Sequence, residues 1–173
     1  NKFNAVLADI ESNFKEYRLS EALASLYSLV WNDFCSWYLE MIKPPYGEGI
    51  AESVLAQAKT FYERICITLH PFMPFITEEM WHILKNRAEG EDCIISAYPK
   101  AGDFDKENIS VVEQAQDIIS NIRDVRAKNG LSKIEPLDLC AIKSERMDAL
   151  LSYSGIQEMI IKVACLKEIK SSQ

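Results

Sequence analysis

Long apolar runs are missing from this 173-residue chain. None approaches the ~18 consecutive residues that a membrane-spanning helix needs, and the first residues lack the basic-then-apolar layout of a secretory signal. Histidine is scarce, with only His70 and His82 present. No two of the five cysteines stand close enough in sequence to form a C-x-x-C metal or redox pair. A glycine-rich phosphate loop is absent as well. Positive charge is in deficit: 19 Lys and Arg against 26 Asp and Glu leave a net charge of −7. That balance opposes easy nucleic-acid binding, because nonspecific affinity comes largely from cations on phosphates. Together these absences argue against a membrane protein and predict no catalytic and no metal-ligating residue. Cys35, Cys66, Cys140 and Cys165 sit among apolar neighbours, so reduced, buried thiols in a cytoplasmic protein are expected. A Cys–His catalytic pair is an alternative that no spacing orients.

What is present is ordinary for a globular chain: nearly half the residues are apolar and about a quarter are charged. The length suits one domain, or one domain with a small appendage. The chain starts at Asn1, already inside a helical pattern, and a piece of a longer polypeptide is expected.

Apolar residues at Val6, Leu7, Ile10, Phe14 and Tyr17 fit one helical stripe. Ser20 is a plausible N-cap for a second helix, with Leu23, Leu26, Tyr27, Val30, Phe34, Trp37, Tyr38 and Met41 at 3–4 spacing. Lys43 suits that helix's last turn, and Pro44–Pro45 stop it. A loop with Tyr46, Gly47 and Gly49 leads to a third stripe at Val54, Leu55, Ala58, Tyr62, Ile65 and Leu69. Pro71 and Pro74 then force an apolar corner holding Phe72, Met73 and Phe75. A fourth helix is predicted from Thr77 to about Arg87, with Glu78 and Glu79 in its first turn facing the dipole. Residues 88–105 read as a loop with a short extended piece near Ile94–Ala97. Ser110 and Glu113 have capping-box spacing for a fifth helix that ends near Gly130. Beyond it, Leu137–Ile142 and Val163–Ile169 are candidate strands around two short helices, 146–151 and 156–161. Two strands alone are marginal, so this sheet looks incomplete. The fold class is mainly α: a helical bundle over residues 1–135 with a truncated α/β appendage over 136–173.

Three segments carry a family resemblance. They are Val30–Trp31–Asn32–Asp33–Phe34–Cys35–Ser36–Trp37–Tyr38–Leu39–Glu40 ending in Lys43–Pro44; the corner His70–Pro71–Phe72–Met73–Pro74–Phe75–Ile76–Thr77–Glu78–Glu79; and Ile122–Arg123–Asp124–Val125–Arg126 followed by Lys128 and Asn129. In order and spacing this resembles the anticodon-binding domain of the valyl-tRNA synthetase family. Leucyl and isoleucyl enzymes are similar at the corner and remain alternatives, as does a helical protein-interaction scaffold. The aromatic signature residues Trp31, Phe34, Trp37, Tyr38 and Trp81 lie at helical spacing and read as core.

The resemblance implies the anticodon-binding bundle of a class I aminoacyl-tRNA synthetase, the ligase that joins valine to its tRNA in protein biosynthesis. ATP and Mg would belong to the parent's catalytic domain; HIGH and KMSKS sequences are absent here, so no cofactor is expected and this fragment alone should be non-catalytic. Its implied partners are valine tRNA and the catalytic and coiled-coil domains of the same parent, with no membrane partner and a monomeric fragment. Splayed bases of single-stranded loops stack on aromatic or guanidinium planes. The RNA-binding candidates are therefore Lys43 and Tyr46 in the loop and Arg123, Arg126 and Lys128 in the most basic stretch, which continues to Lys133. Packing over the helix end is an equal reading of Tyr46. Lys15 with Arg18 come next.

Overall fold

A computed structural model describes residues 1–142 and 144–172. Among these are seven helices and a two-stranded sheet. By compactness the chain forms two units, Lys2–Phe104 and the stretch from Asp105 onward with Asn1. The long helix before residue 135, grouped above with the bundle, falls in the second unit in this division.

In the first unit, α1 (Lys2–Lys15) packs its Leu7 and Ile10 face on α2 (19–42). Ile10, Ala22, Leu26 and Leu29 form one buried cluster, with Phe14 and Phe72 against it. Those two rings stack at 5.9 Å. A polar staple joins the same helices: Asp9 accepts from Ser25 Oγ at 2.5 Å and from Asn13 Nδ2 at 3.3 Å. Tyr17 departs from the expected stripe. It lies past the end of α1 at φ 57°, 91% exposed. The N-cap of α2 is Arg18, without a side-chain hydrogen bond, so Ser20 lies inside the helix rather than capping it.

α2 is one continuous rod, but its centre, Leu29–Tyr38, is π-helical between the α segments Leu19–Ser28 and Leu39–Ile42. Bonds there run from residue i to i+5, a form usually confined to a single turn. Phe34 is buried, its ring 5.5 Å from Tyr38 and 5.9 Å from Tyr62. Trp31 is not core. Standing one residue round the π-helical stretch from Val30, it is 59% exposed and stacks on Tyr27 at 6.4 Å.

α3 (Glu52–Leu69) ends at the proline corner, and α4 (Pro74–Leu84) begins with Pro74 in its first turn, where the missing N–H costs nothing. That start is one turn earlier than the sequence suggests. Glu78 and Glu79 therefore sit in the second turn, and Glu78 serves the loop instead: its carboxylate accepts from Cys93 N at 2.7 Å and Ile94 N at 3.2 Å. Burial raises the Glu78 pKa, but those two backbone donors outweigh it and hold the group below the usual value. The loop's expected extended piece is a 3-10 turn, Cys93–Ile95. Of the corner's apolar residues only Phe72 packs well; Phe75 is 90% and Met73 48% exposed. Trp81 is buried with Cys66 and Cys93. Its indole donates to Glu91 O at 2.8 Å, and the Arg87 guanidinium lies 3.5 Å from its ring centroid.

In the second unit, α5 (Lys106–Lys128) is capped by Asp105, which accepts from Glu107 N and Asn108 N. This cap precedes the expected Ser110–Glu113 box and leaves that pair inside the helix. β1 (Leu137–Ile142) runs where the alternation places it. α6 (Glu145–Ser152), capped by Ser144, and α7 (Ile156–Val163) then cross over to β2 (Leu166–Ser172). The second strand starts later than expected because α7 continues to Val163. β1 and β2 pair in parallel, Leu137 opposite Leu166 and Leu139 opposite Ile169. The half-buried side of β1 lines an apolar groove of about 360 Å³ with Ile118, Ile122, Val125 and Met147.

The thiols divide differently from expectation: Cys66 and Cys93 are buried, Cys165 partly so, while Cys35 and Cys140 are exposed. An apolar neighbourhood in sequence does not fix which side of an element faces inward.

Candidate nucleic-acid interface

Lys43 ends α2 and Pro44 follows, so the chain leaves the helix at a fixed place. Glu48 N donates to Pro45 O at 3.1 Å, closing a four-residue turn with Tyr46 and Gly47 at its centre. Gly47 has φ 85°, the value a type II turn requires at its third position, and Pro is favoured nearby. Tyr46 is thereby held outward, 108% exposed. The ring does not pack over the helix end. Lys43 is also exposed, with Nζ 3.5 Å from Glu40 Oε1. An exposed pair of that kind leaves the ammonium accessible.

The basic stretch on α5 is split by burial. Arg123 and Lys128 are exposed, as is Lys133 beyond the helix. Arg123 Nη2 donates to Val163 O at 3.2 Å. Arg126 differs: it is 3% exposed and its guanidinium donates to three carbonyls, Ser132 O at 2.7 Å, Glu135 O at 2.8 Å and Cys165 O at 2.8 Å. A buried cation must have such partners. Arg126 therefore ties the end of α5 to the following loop and to the start of β2, and cannot reach a ligand at the surface. The other two cations are in exposed ion pairs as well: Lys15 with Glu11 at 3.0 Å and Arg18 with Glu16 at 2.7 Å.

Lys43 and Tyr46 belong to the first unit, and Arg123, Lys128 and Lys133 to the second. Each group is thus a separate exposed feature of its own unit. Sequence reasoning missed the Tyr27–Trp31 stack, an exposed aromatic pair on α2. The signal was a line at spacing four, Leu23, Tyr27 and Trp31, running beside the inward line of Ala22, Leu26 and the half-buried Val30.

Burial pushes the Cys66 thiol up to about 12 and the Cys93 thiol to about 11, so neither supplies thiolate at neutral pH. His70 pairs with Thr77, and His82 lies between Glu78 and Asp92. No helix of the described residues is long and apolar enough to cross a membrane.

A helical bundle with an aromatic held on an exposed turn and cations on exposed helix positions has the makings of an RNA-recognition module. The family described as the anticodon-binding domain of tRNA ligase matches residues 1–141, and the chain belongs to that family. It is 43% identical over 141 residues to the valine–tRNA ligase of Bacteroides thetaiotaomicron, covering 80% of this chain and 16% of that protein. With the valine–tRNA ligase of Porphyromonas gingivalis the identity is 37% over 164 residues, 94% of this chain and 19% of that protein. With that of Carboxydothermus hydrogenoformans it is 37% over 141 residues, 78% and 15%. The chain spans less than a fifth of the length of these relatives.

Proposed function

We propose that this chain is the anticodon-binding module of a valine–tRNA ligase, holding the anticodon stem and loop of valine tRNA while a catalytic domain elsewhere in the parent charges the distant acceptor end. The observation that carries this reading is the family match over residues 1–141, together with the name shared by the relatives. ATP and Mg2+ would act in that catalytic domain, in the cytoplasm. The parent's coiled-coil arm would supply a further intramolecular partner, and the chain itself would be monomeric. Residues 1–135 would form the recognition bundle and 136–173 its appendage.

Within the chain, Tyr46 offers a plane for one splayed base and Lys43 a cation for an adjacent phosphate. Arg123 and Lys128 would make further phosphate contacts. Arg126 supports them from beneath by fixing the end of α5. A net charge of −7 makes nonspecific affinity weak, so what binding occurs should depend on these few positions.

A gel-shift titration of the chain with valine tRNA, beside a tRNA for a different amino acid, tests the reading. Preferential retardation of valine tRNA is expected, weakened in Tyr46→Ala and in Arg123→Ala with the fold intact by circular dichroism. Equal affinity for both RNAs, or none for either, removes it.

A further inference from the structure

In the first unit, α2 carries an exposed apolar face. Ala22, Leu26 and Leu29 join Ile10 of α1 in a buried cluster. Beside them Leu19, Leu23, Tyr27 and Trp31 follow at spacing four and are 56%, 40%, 62% and 59% exposed. The Tyr27 and Trp31 rings are stacked with their planes 10° apart. That pair spans the junction where α winding gives way to π winding, between Ser28 and Leu29, and such changes of winding concentrate at functional sites. Residues 22–32 hold no charged side chain, in a sequence that is 26% charged. An exposed face that is aromatic and free of charge matches the centre of a protein interface, where charge is depleted and Tyr and Trp are enriched. Rings already stacked in the free module lose little rotamer freedom when covered.

Single-stranded RNA also stacks on aromatic planes, but its phosphates need cations beside them. From Leu19 to Ile42 the helix has no Lys or Arg, and its charged residues are Glu21, Asp33 and Glu40. The nearest cations in sequence, Arg18 and Lys43, stand beyond its two ends. This face repels a phosphate backbone, unlike the turn at Tyr46 with Lys43 close by. Its charge pattern selects protein.

Area then separates a second copy from a tethered partner. A fully buried aromatic contributes about 150–250 Å², so the exposed parts of the four side chains offer roughly 400–500 Å². A standard protein–protein interface takes about 800 Å² from each partner. Two copies held by this face alone would therefore dimerise weakly. A domain of the same polypeptide needs less area, because it meets the face at an effective concentration that reaches millimolar for short linkers. The chain spans less than a fifth of its relatives, so most of the polypeptide in such a ligase lies outside it.

We propose that the 19–31 face of α2 is the seat of another domain of the same parent polypeptide. That domain presents apolar side chains to Tyr27 and Trp31 and a Lys or Arg to the exposed Glu21 beside them. The inference rests on reading the chain as one module of a longer ligase, and is independent of where RNA binds.

Hydroxyl-radical footprinting read by peptide mass spectrometry tests this at the residues themselves, comparing the 173-residue chain with the full-length parent, both free of RNA. Oxidation of Tyr27 and Trp31 should be fast in the chain and several-fold slower in the parent. Trp31→Glu, which puts a charge in the seat, should bring Tyr27 to the same rate in parent and chain while leaving the thermal melt of the chain unchanged. Equal rates for both residues in the wild-type parent and chain overturn the proposal. So does protection of the pair in the isolated chain by valine tRNA, which would make the face an RNA platform. Protection that grows with the chain's own concentration, alongside a dimer in sedimentation, overturns it in favour of a second copy. A chain that fails to retard tRNA in the gel shift bears on the RNA reading alone; protection in the parent then still supports the seat.

Discussion

Arg126 Nη2 donates to the Cys165 carbonyl at 2.8 Å, across 39 residues of sequence and between the last turn of α5 and the residue before β2. With Ser132 O and Glu135 O satisfied by Nη1, one side chain ties both the loop after α5 and the residue before β2 to the end of α5. Removing it as Arg126→Ala strips partners from three carbonyls at once. Hydrogen bonds to a charged group contribute about 1.5–3 kcal/mol each, though not additively. A loss of about 2–4 kcal/mol in the second unit is expected. Arg126→Lys should restore little of it, because an ammonium lacks the planar fork. Urea denaturation followed by circular dichroism measures both. Any loss of RNA affinity in Arg126→Ala should therefore track unfolding, in contrast to Arg123→Ala. A fully stable Arg126→Ala chain contradicts the structural role.

Acid sensitivity follows from Glu63. Burial pushes its carboxyl pKa up, but hydrogen bonds and charge from Lys85 and Arg87 act the other way and hold it below the usual value. The contacts are 3.0 Å to Lys85 and 2.6 Å to Arg87, whose side chain is 3% exposed. A carboxylate with a depressed folded pKa adds stability that is present above its unfolded pKa and is lost as pH falls through the folded one. Stability of the first unit should accordingly decline as pH drops below about 4.3, the unfolded Glu value. Glu63→Gln should lower stability at pH 7 by about 1–3 kcal/mol and flatten the acid slope. Thermal melts from pH 7 to pH 3 read both effects. A variant whose slope equals that of the wild type argues against this pairing.

Much of the bundle is legible in the sequence because its apolar stripes and proline stops are strong local signals. The corner at Pro71–Pro74, α3 and β1 all lie where periodicity and backbone chemistry put them. What escapes is decided by partners distant in sequence. Ser110 and Glu113 spell a capping box, but Asp105 caps first because its side chain reaches two free N–H groups five residues earlier. Glu78 looks like a dipole partner until the 93–94 amides arrive to claim it. Trp31 shares helical spacing with core residues, yet the apolar face of α2 is wider than the surface available to cover it. Among the basic residues, charge and spacing made Arg123 and Arg126 alike. Only the fold separates one that meets solvent from one enclosed by carbonyls.

Thiol reactivity should fall into two classes. Cys35 and Cys140 are exposed, whereas burial holds Cys66 and Cys93 near 12 and 11. Alkylation proceeds through the thiolate and needs access. Brief iodoacetamide treatment at pH 8, followed by peptide mass spectrometry, should label Cys35 and Cys140 in the native chain. Cys66 and Cys93 should be labelled only in denaturant. Rapid native labelling of Cys66 is inconsistent with the Trp81 cluster around it.

The turn at Tyr46 separates folding from recognition within two adjacent residues. Tyr46 makes no packing contact that its exposure would allow, so Tyr46→Ala should alter stability by less than about 0.5 kcal/mol. If its ring stacks on a base, the same substitution should weaken tRNA binding by about 1–3 kcal/mol, roughly 5- to 150-fold. Tyr46→Phe should retain most of the affinity, since stacking needs the plane rather than the hydroxyl. Gly47 behaves in the opposite way. A Cβ there meets no atom within 4 Å, so Gly47→Ala creates no clash, but φ 85° is strained for any L side chain. That strain, about 1–2 kcal/mol, should appear in the melting temperature of the first unit and as a partial loss of affinity through a displaced Tyr46. Affinity unchanged in Tyr46→Ala, with the other basic substitutions still effective, would mean that the RNA is gripped through phosphates and that this ring is idle.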